Sequence, residues 1–324
     1  MFKYILKRIG LMIPVILGVL LIVFIANRMS GDPVASILGG NASEEAYEAM
    51  RHQLGLDRPL VVQFLEYLKG IVTRFDLGTS YTSNKPVIRE IMARLPITLT
   101  LALLSLIVAT VLGVVFGVFC AVNQNRMADY IITLLALIAA SLPNFWFALM
   151  MILTFAVRLR WLPVSGLDTW QAWILPSLVM GLSPLANICR TTRSSMLEVI
   201  RQDYIQTAKS KGVDQRTIIF KHALKNAMFP IITVFGLMAS LSIGGQMVVE
   251  NVFTIPGVGS YMMNAIGLKD YPVVQGTVVV LSLIVCIINL FVDIAYGFAD
   301  PRIRAGYTSR KKTIGAKQGQ EAKA

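Results

Sequence analysis

Apolar residues dominate the chain in six stretches of about 20 positions, the length a helix needs to cross a hydrocarbon core of about 30 Å at 1.5 Å per residue. They cover 9–27, 97–122, 131–157, 172–188, 229–249 and 276–296. A charge near mid-span costs about 2.5 to 3.5 kcal/mol, so charges collect at span ends. Arg28, Arg126, Arg158, Arg190 and Glu250 sit at such ends. The fourth stretch is short and carries Pro176, Gly181 and Pro184, which predicts a kinked helix enclosed by its neighbours. Pro143 and Asn144 break the third, and Gly113 with Gly117 forms a small-xxx-small pair in the second that suggests close helix packing first and pore lining second.

Between the spans, polarity changes the picture twice. Segment 30–96, after the N-terminal helix 1–29, is polar with near-balanced charge and predicts a small folded insertion, in which Ser43 caps a helix. Its last part, 86–95, has Val87, Ile88, Ile91, Met92 and Leu95 on one side and predicts a short helix lying on the membrane surface. The second change is the 190–228 loop within the core, 97–304. Residues 194–211 are helix-compatible and end at Gly212, which suits a left-handed position after a helix. Asp214 follows as an N-cap, and a second helix is expected to end near Pro230. The pattern is helix, turn, helix: a protruding elbow shaped to enter a groove on a partner. Tyr204, Ala208 and Gly212 recur at four-residue intervals on one face. The tail 305–324 is basic, poor in apolar residues and expected to be disordered.

Of 324 residues, 55% are hydrophobic and 15% charged, too little polar surface to cover a soluble globule of this size. The expected fold is an all-α integral membrane protein of six transmembrane helices with a small extracytoplasmic insertion after the first. The net charge of +12 is concentrated near Lys3, between Arg190 and Lys225, and between Arg302 and Lys323. The short loops of the opposite side hold only Arg158, Arg160 and Lys269. This asymmetry places both termini on the cytoplasmic side and argues for lipid flanks, not a nucleic-acid face. The first apolar run exceeds a signal-peptide core and lacks a small-x-small cleavage site, so it is expected to stay attached. Asp293, near the inner end of the last span, is expected to have a structural partner or a solvated end. The three cysteines lack metal or redox spacing. HExxH and GxSxG are absent, which argues against a membrane-embedded protease.

The elbow reads DYIQTAKSKG, then KHALKNAMFP, and here the chain resembles the inner-membrane permeases of ABC importers, in particular the peptide and nickel subfamily. The family's cytoplasmic signature falls on Gln206, Thr207, Ala208 and Gly212, then on His222, Ala223, Leu224 and Lys225. Only Ala208, Gly212 and Leu224 match it literally, and its proline is displaced to Pro230. Nine further motifs occur in order along nearly the whole chain. They are GDP at 31–33, QLGLDRP at 53–59, RLPITL at 94–99, SLPNFW at 141–146, WLPVSG at 161–166, TRSSMLEV at 192–199, PGVGS at 256–260, DYPVVQG at 270–276 and DPRIR at 300–304.

The resemblance implies a type I ABC importer permease in the bacterial inner membrane, forming half of a pathway for dipeptides or oligopeptides. Nickel-chelator or glutathione import on the same architecture is the alternative, and a self-contained channel or secondary transporter is the rival from another class. Implied partners are a second homologous permease, two ATPase subunits, an extracytoplasmic solute-binding protein and the bilayer. With no GxxxxGK[ST] loop in the chain, ATP and Mg belong to the ATPase subunits; this chain is expected to be non-catalytic and to bind no cofactor or metal. Tyr204, Thr207, Ala208, Gly212 and Asp214 are then the ATPase-coupling residues. Pro143, Asn144 and Glu250 are candidates for pathway or gate, and Pro256, Gly257 and Gly259 for contact with the binding protein.

Overall fold

The computed structural model describes residues 2–39 and 42–299; the expectations for the 305–324 tail and the 300–304 motif fall outside them. Long helices α1 (Phe2–Met29), α5 (Val87–Val122), α8 (Ile174–Ile200), α11 (Leu224–Val252) and α13 (Tyr271–Ala299) are connected by shorter ones. Among the described residues, five helical segments are long and apolar enough to cross a bilayer. The pair α6 (Met127–Ser141) and α7 (Asn144–Met151), which runs on through a π-helical stretch to Arg158 and bends by 107° at Leu142 and Pro143, makes a sixth when counted as one broken span. Proline restricts the residue before it to extended backbone, and Leu142 has ψ 131. The six-span, nearly all-helical expectation therefore holds, with the third span broken where the sequence places its proline.

The centre is the parallel pair α5 and α8. Gly181 faces Ser105, Gly113 faces Ile188 and Gly117 faces Thr192. A Cβ on Gly117 would lie 2.5 Å from the Thr192 Cβ and 2.6 Å from the Cys189 carbonyl oxygen. The two glycines thus let the backbones approach as the small-xxx-small pattern predicts. Helix α11 runs antiparallel to both. Its start packs Ala227 and Ile231 against Val118, Ile188 and Met196, and its end brings Glu250 to Thr98. Helix α13 lies beside α11, with Val292 against Gly236. Helix α1 runs antiparallel to α13, and an Arg8–Asp293 ion pair of 3.0 Å joins the beginning of one to the end of the other. Asp293 thus has the structural partner expected of a carboxylate near a span end.

The bundle consequently has an elbow end and an insertion end. At the latter, α2 (Pro33–Leu38), α3 (Glu44–Gln53) and α4 (Leu60–Arg74) form the insertion. Asp32 caps α2 through the Val34 N–H at 2.8 Å, and Ser43 caps α3 through the Ala46 N–H at 3.3 Å, as expected. Motif residues fasten this segment to α13. The Tyr271 hydroxyl donates to the Gly31 carbonyl. Asp270 is buried and accepts from the Ser80 hydroxyl at 2.6 Å and the Tyr81 and Thr82 N–H groups at 3.1 and 3.2 Å. Burial raises the Tyr81 phenol to about 12.

Three expectations need correction. No separate surface helix precedes the second span: residues 87–95 are the first turns of α5, whose 36 residues reach about 54 Å at 1.5 Å each. The apolar side read as lipid-facing packs inward, with Val87 and Ile91 fully buried in one cluster with Val273 and Val274. The first arm of the elbow is not one helix either: α8 ends at Ile200, Gln202 is extended (ψ 147), and α9 (Asp203–Ser210) begins anew. Asp203 in its first turn favours that start through the helix dipole. The second arm does not end near Pro230, which lies inside α11. Residues 215–252 are helical without a break, because a bundle in lipid can re-satisfy the one hydrogen bond a proline removes.

The substitution Gly117→Val should remove about 1 to 3 kcal/mol of stability by overpacking the α5–α8 contact. Gly10→Ala on α1, where a Cβ meets nothing within 4 Å, should change little. Thermal unfolding of the two detergent-purified variants checks the contrast.

Candidate functional site

The elbow is built from both ends of the 201–223 segment. Helix α9 buries Ile205, and the second arm buries Ile218, Ile219 and Ala223. The arm begins with a helical turn, α10 (Gln215–Thr217), and a π-helical turn, Ile218–Ala223. Between the arms Gly212 has φ +77, and a Cβ there would meet nothing within 4 Å. Glycine is needed for its backbone conformation, not for space. The Gly212 N–H donates to the Lys209 carbonyl at 3.0 Å and the Val213 N–H to the Ala208 carbonyl at 3.2 Å, closing α9. Asp214 caps the second arm through the Arg216 and Thr217 N–H groups at 3.0 and 3.4 Å. Tyr204 and Thr207 are exposed and Ala208 half-buried on one side of α9. The five residues expected to couple are thus together on one protruding unit, of which Gly212 and Asp214 set the shape.

The elbow's root is braced by a pair that the sequence reading did not single out. Arg193 Nε and Nη2 donate to the two Asp129 carboxylate oxygens at 2.6 and 2.7 Å, and Asp129 is buried. The Asn125 N–H adds a third bond at 3.1 Å. This bidentate geometry ties α6 to α8. Arg193 stands inside the TRSSMLEV motif, which marked the stretch as informative without revealing its partner.

At the insertion end, Glu250 is fully buried. Its carboxylate accepts from the Thr98 hydroxyl at 2.6 Å and the Ser260 N–H at 2.9 Å. The same Thr98 oxygen accepts from the Val258 N–H at 2.8 Å. Helix α12 (Val258–Gly267) thus presents its first turn to the carboxylate, where the dipole favours negative charge. Gly257 and Gly259 face inward: a Cβ on Gly257 would lie 2.3 Å from the Glu250 carboxylate. Both glycines are buried, and of the three residues expected to meet a binding protein only Pro256 is exposed.

The structure therefore joins Glu250 to Gly257 and Gly259 and separates it from Pro143 and Asn144. Asn144 lines a different cavity of about 170 Å³, with Pro184 of α8 and Ser242 of α11. Ser242 and Glu250 are eight residues apart, about 12 Å along α11. One turn before Glu250, Gln246 is buried with both amide atoms unpartnered, beside a cavity of about 310 Å³ between α1, α11 and α13. No sequence signal marked Gln246.

Residues 113–305 match the family model described as "Binding-protein-dependent transport system inner membrane component", and residues 1–102 match the corresponding N-terminal model. A dipeptide transport system permease protein of Alkalihalophilus pseudofirmus is 40% identical, the alignment covering 94% of this chain and 100% of that protein. A glutathione transport system permease protein of Salmonella choleraesuis is also 40% identical, covering 94% of this chain and 99% of its own length.

Since Glu250 and Gly257 meet within one cradle, Glu250→Ala and Gly257→Ala should each destabilise the protein by about 1 to 3 kcal/mol. The double variant should cost less than the sum. Additive losses in detergent unfolding would show that the cradle is not a unit.

Proposed function

Because this chain belongs to the family of binding-protein-dependent transport system inner membrane components, we propose that it is the permease subunit of an ATP-driven importer of short peptides, coupled to its ATPases through the Gly212 elbow. The family and the six-span architecture make it a multi-pass membrane protein with a type I ABC permease fold. The observation that carries the coupling role is the elbow itself: a braced root, a glycine with positive φ and open space around it, and an exposed Tyr204 face.

In this reading the elbow end faces the cytoplasm, which agrees with its basic residues and puts both termini there. The 30–96 insertion then lies outside. ATP and Mg are used by two ATPase subunits that receive Tyr204, Thr207 and Ala208, and a second permease completes the pathway. The bend at Pro143 and the cavity at Asn144 supply a side of that pathway that can change shape. Glu250 serves as a latch that holds α12 to the end of α11, and the exposed Pro256 turn is offered to a solute-binding protein. Cargo as dipeptide or oligopeptide is supported by relatives named for dipeptide and peptide transport, while a relative named for glutathione transport fits the alternative equally well.

Gly212→Val, with a β-branched residue in the left-handed region at a cost of about 1 to 2 kcal/mol, should abolish substrate-stimulated ATP hydrolysis by the assembled complex while membrane insertion persists. Gly212→Asn, which tolerates that conformation, should retain most of it. Full stimulation in the valine variant would overturn the coupling role. For cargo, the cognate binding protein loaded with dipeptides or oligopeptides should stimulate ATPase activity in proteoliposomes. A response confined to glutathione or to nickel chelates would refute the peptide assignment in favour of that alternative.

A further inference from the structure

A cavity of about 310 Å³ lies at the root of the elbow, where the 123–126 turn, the end of α8 and both elbow arms converge. Its lining is mostly polar, with Leu197, Ile200 and Ile219 contributing the smaller apolar share. Arg126, Arg201 and Lys209 line it from three different segments. All three are exposed, and none forms an ion pair with a described residue. The polar contact recorded for Arg126 is a long one, 3.4 Å, to the Asn123 side chain. Gln124 and Gln215 add amide groups to the lining. By contrast, the neighbouring Arg193 is fully engaged by Asp129. Three cations without an ion-pair partner among the described residues, lining one cavity, offer an anion several charges at once.

From this juxtaposition we propose that the cavity is a binding site for the headgroup of an anionic phospholipid. The chemistry needed is a phosphate for the cations, with the Gln124 and Gln215 amides as further donors. The site lies at the ends of α5 and α8, which the proposed orientation puts toward the inner membrane face. Basic pockets between spans on the inner face bind such lipids. A lipid seated there touches the span ends through Arg126 and Arg201 and the elbow through Lys209, so it stiffens the joint between them. The proposal rests on the placement of the elbow at the inner membrane face, and its test is separable from the coupling role.

The purified importer complex, in nanodiscs of phosphatidylcholine or with increasing phosphatidylglycerol, is the material for the test. Native mass spectrometry of the wild-type complex should show phosphatidylglycerol retained through delipidation. Affinity should fall about five-fold for each cation removed and about twenty-five-fold in Arg126→Gln with Arg201→Gln, taking each basic residue near the surface at its usual contribution. Lys209→Gln, on the elbow and away from the span ends, should give the single-cation loss without any effect on insertion. Gly212→Val should retain the lipid even where it loses stimulated ATPase activity, which separates failure of this site from failure of coupling. Equal retention by wild type and double variant would overturn the proposal. Displacement by inorganic phosphate alone at millimolar concentration would reassign the site to free phosphate. Loss of ATPase subunits from the double variant in both lipids would instead assign the cations to an acidic surface of that partner.

Discussion

The arrangement depends on how closely the backbones of α5 and α8 approach. In lipid there is no hydrophobic gain from bringing two apolar helices together, so contact must come from packing, and packing is deepest where side chains are smallest. Gly113, Gly117 and Gly181 provide that surface. The parallel pair then fixes the rest. Its far ends present Val122 and Ile200, from which the 123–126 turn and the elbow begin, and α11 lies across both with Ile231 and Ala227 in the same core as Ile188. Because α5 and α8 are parallel, a single contact governs where both elements of the elbow root emerge.

Three buried carboxylates are handled in two ways, and the difference follows position. Asp129 at the elbow end is met chiefly by the guanidinium of Arg193, a full countercharge in bidentate geometry, with one main-chain donor, the Asn125 N–H, beside it. Glu250 and Asp270 at the insertion end are met by hydroxyls and backbone N–H groups. A carboxylate held by main-chain donors constrains the path of the chain around it, because each donor belongs to a turn that must keep its shape. Glu250 therefore dictates the 257–260 turn, and Asp270 the 80–82 turn. An ion pair between side chains is less demanding of backbone and suits a joint between two helices.

Much of this was legible in the sequence where a single residue type answers a local demand. Span positions follow from apolar runs, the bend from Pro143, the caps from Ser43 and Asp214, and the elbow turn from Gly212. What was not legible depends on partners far along the chain. Thr98 meets Glu250 across 152 positions and Ser80 meets Asp270 across 190; neither has a periodic signature. The inward packing of residues 87–95 escaped for the same reason: an amphipathic helix looks alike whether its apolar side meets lipid or Val273 and Val274. Gly257 and Gly259 looked like a surface turn because glycine signals both turn and close approach, and only the position of Glu250 decides between them.

The route from elbow to insertion end is then a matter of rigidity. Residues 215–252 form one unbroken helical run of 38 positions, about 57 Å at 1.5 Å each, from the Asp214 cap to the end of the helix that carries Glu250. A rod this long converts a small rotation at its base into a larger displacement at its tip, provided that it does not bend between. Its irregular places are the π-helical turn at 218–223, directly beside the elbow, and Pro230 shortly after it. Extra backbone in the π-helical turn lets the base adjust without unwinding the rest. At the tip the Glu250 cradle ties the rod to α12 and, through Thr98, to the first third of α5. Under the proposed coupling role, motion imposed on the elbow would reach α5 and α12 as well as α11, through the hydrogen bonds at the other end of the rod.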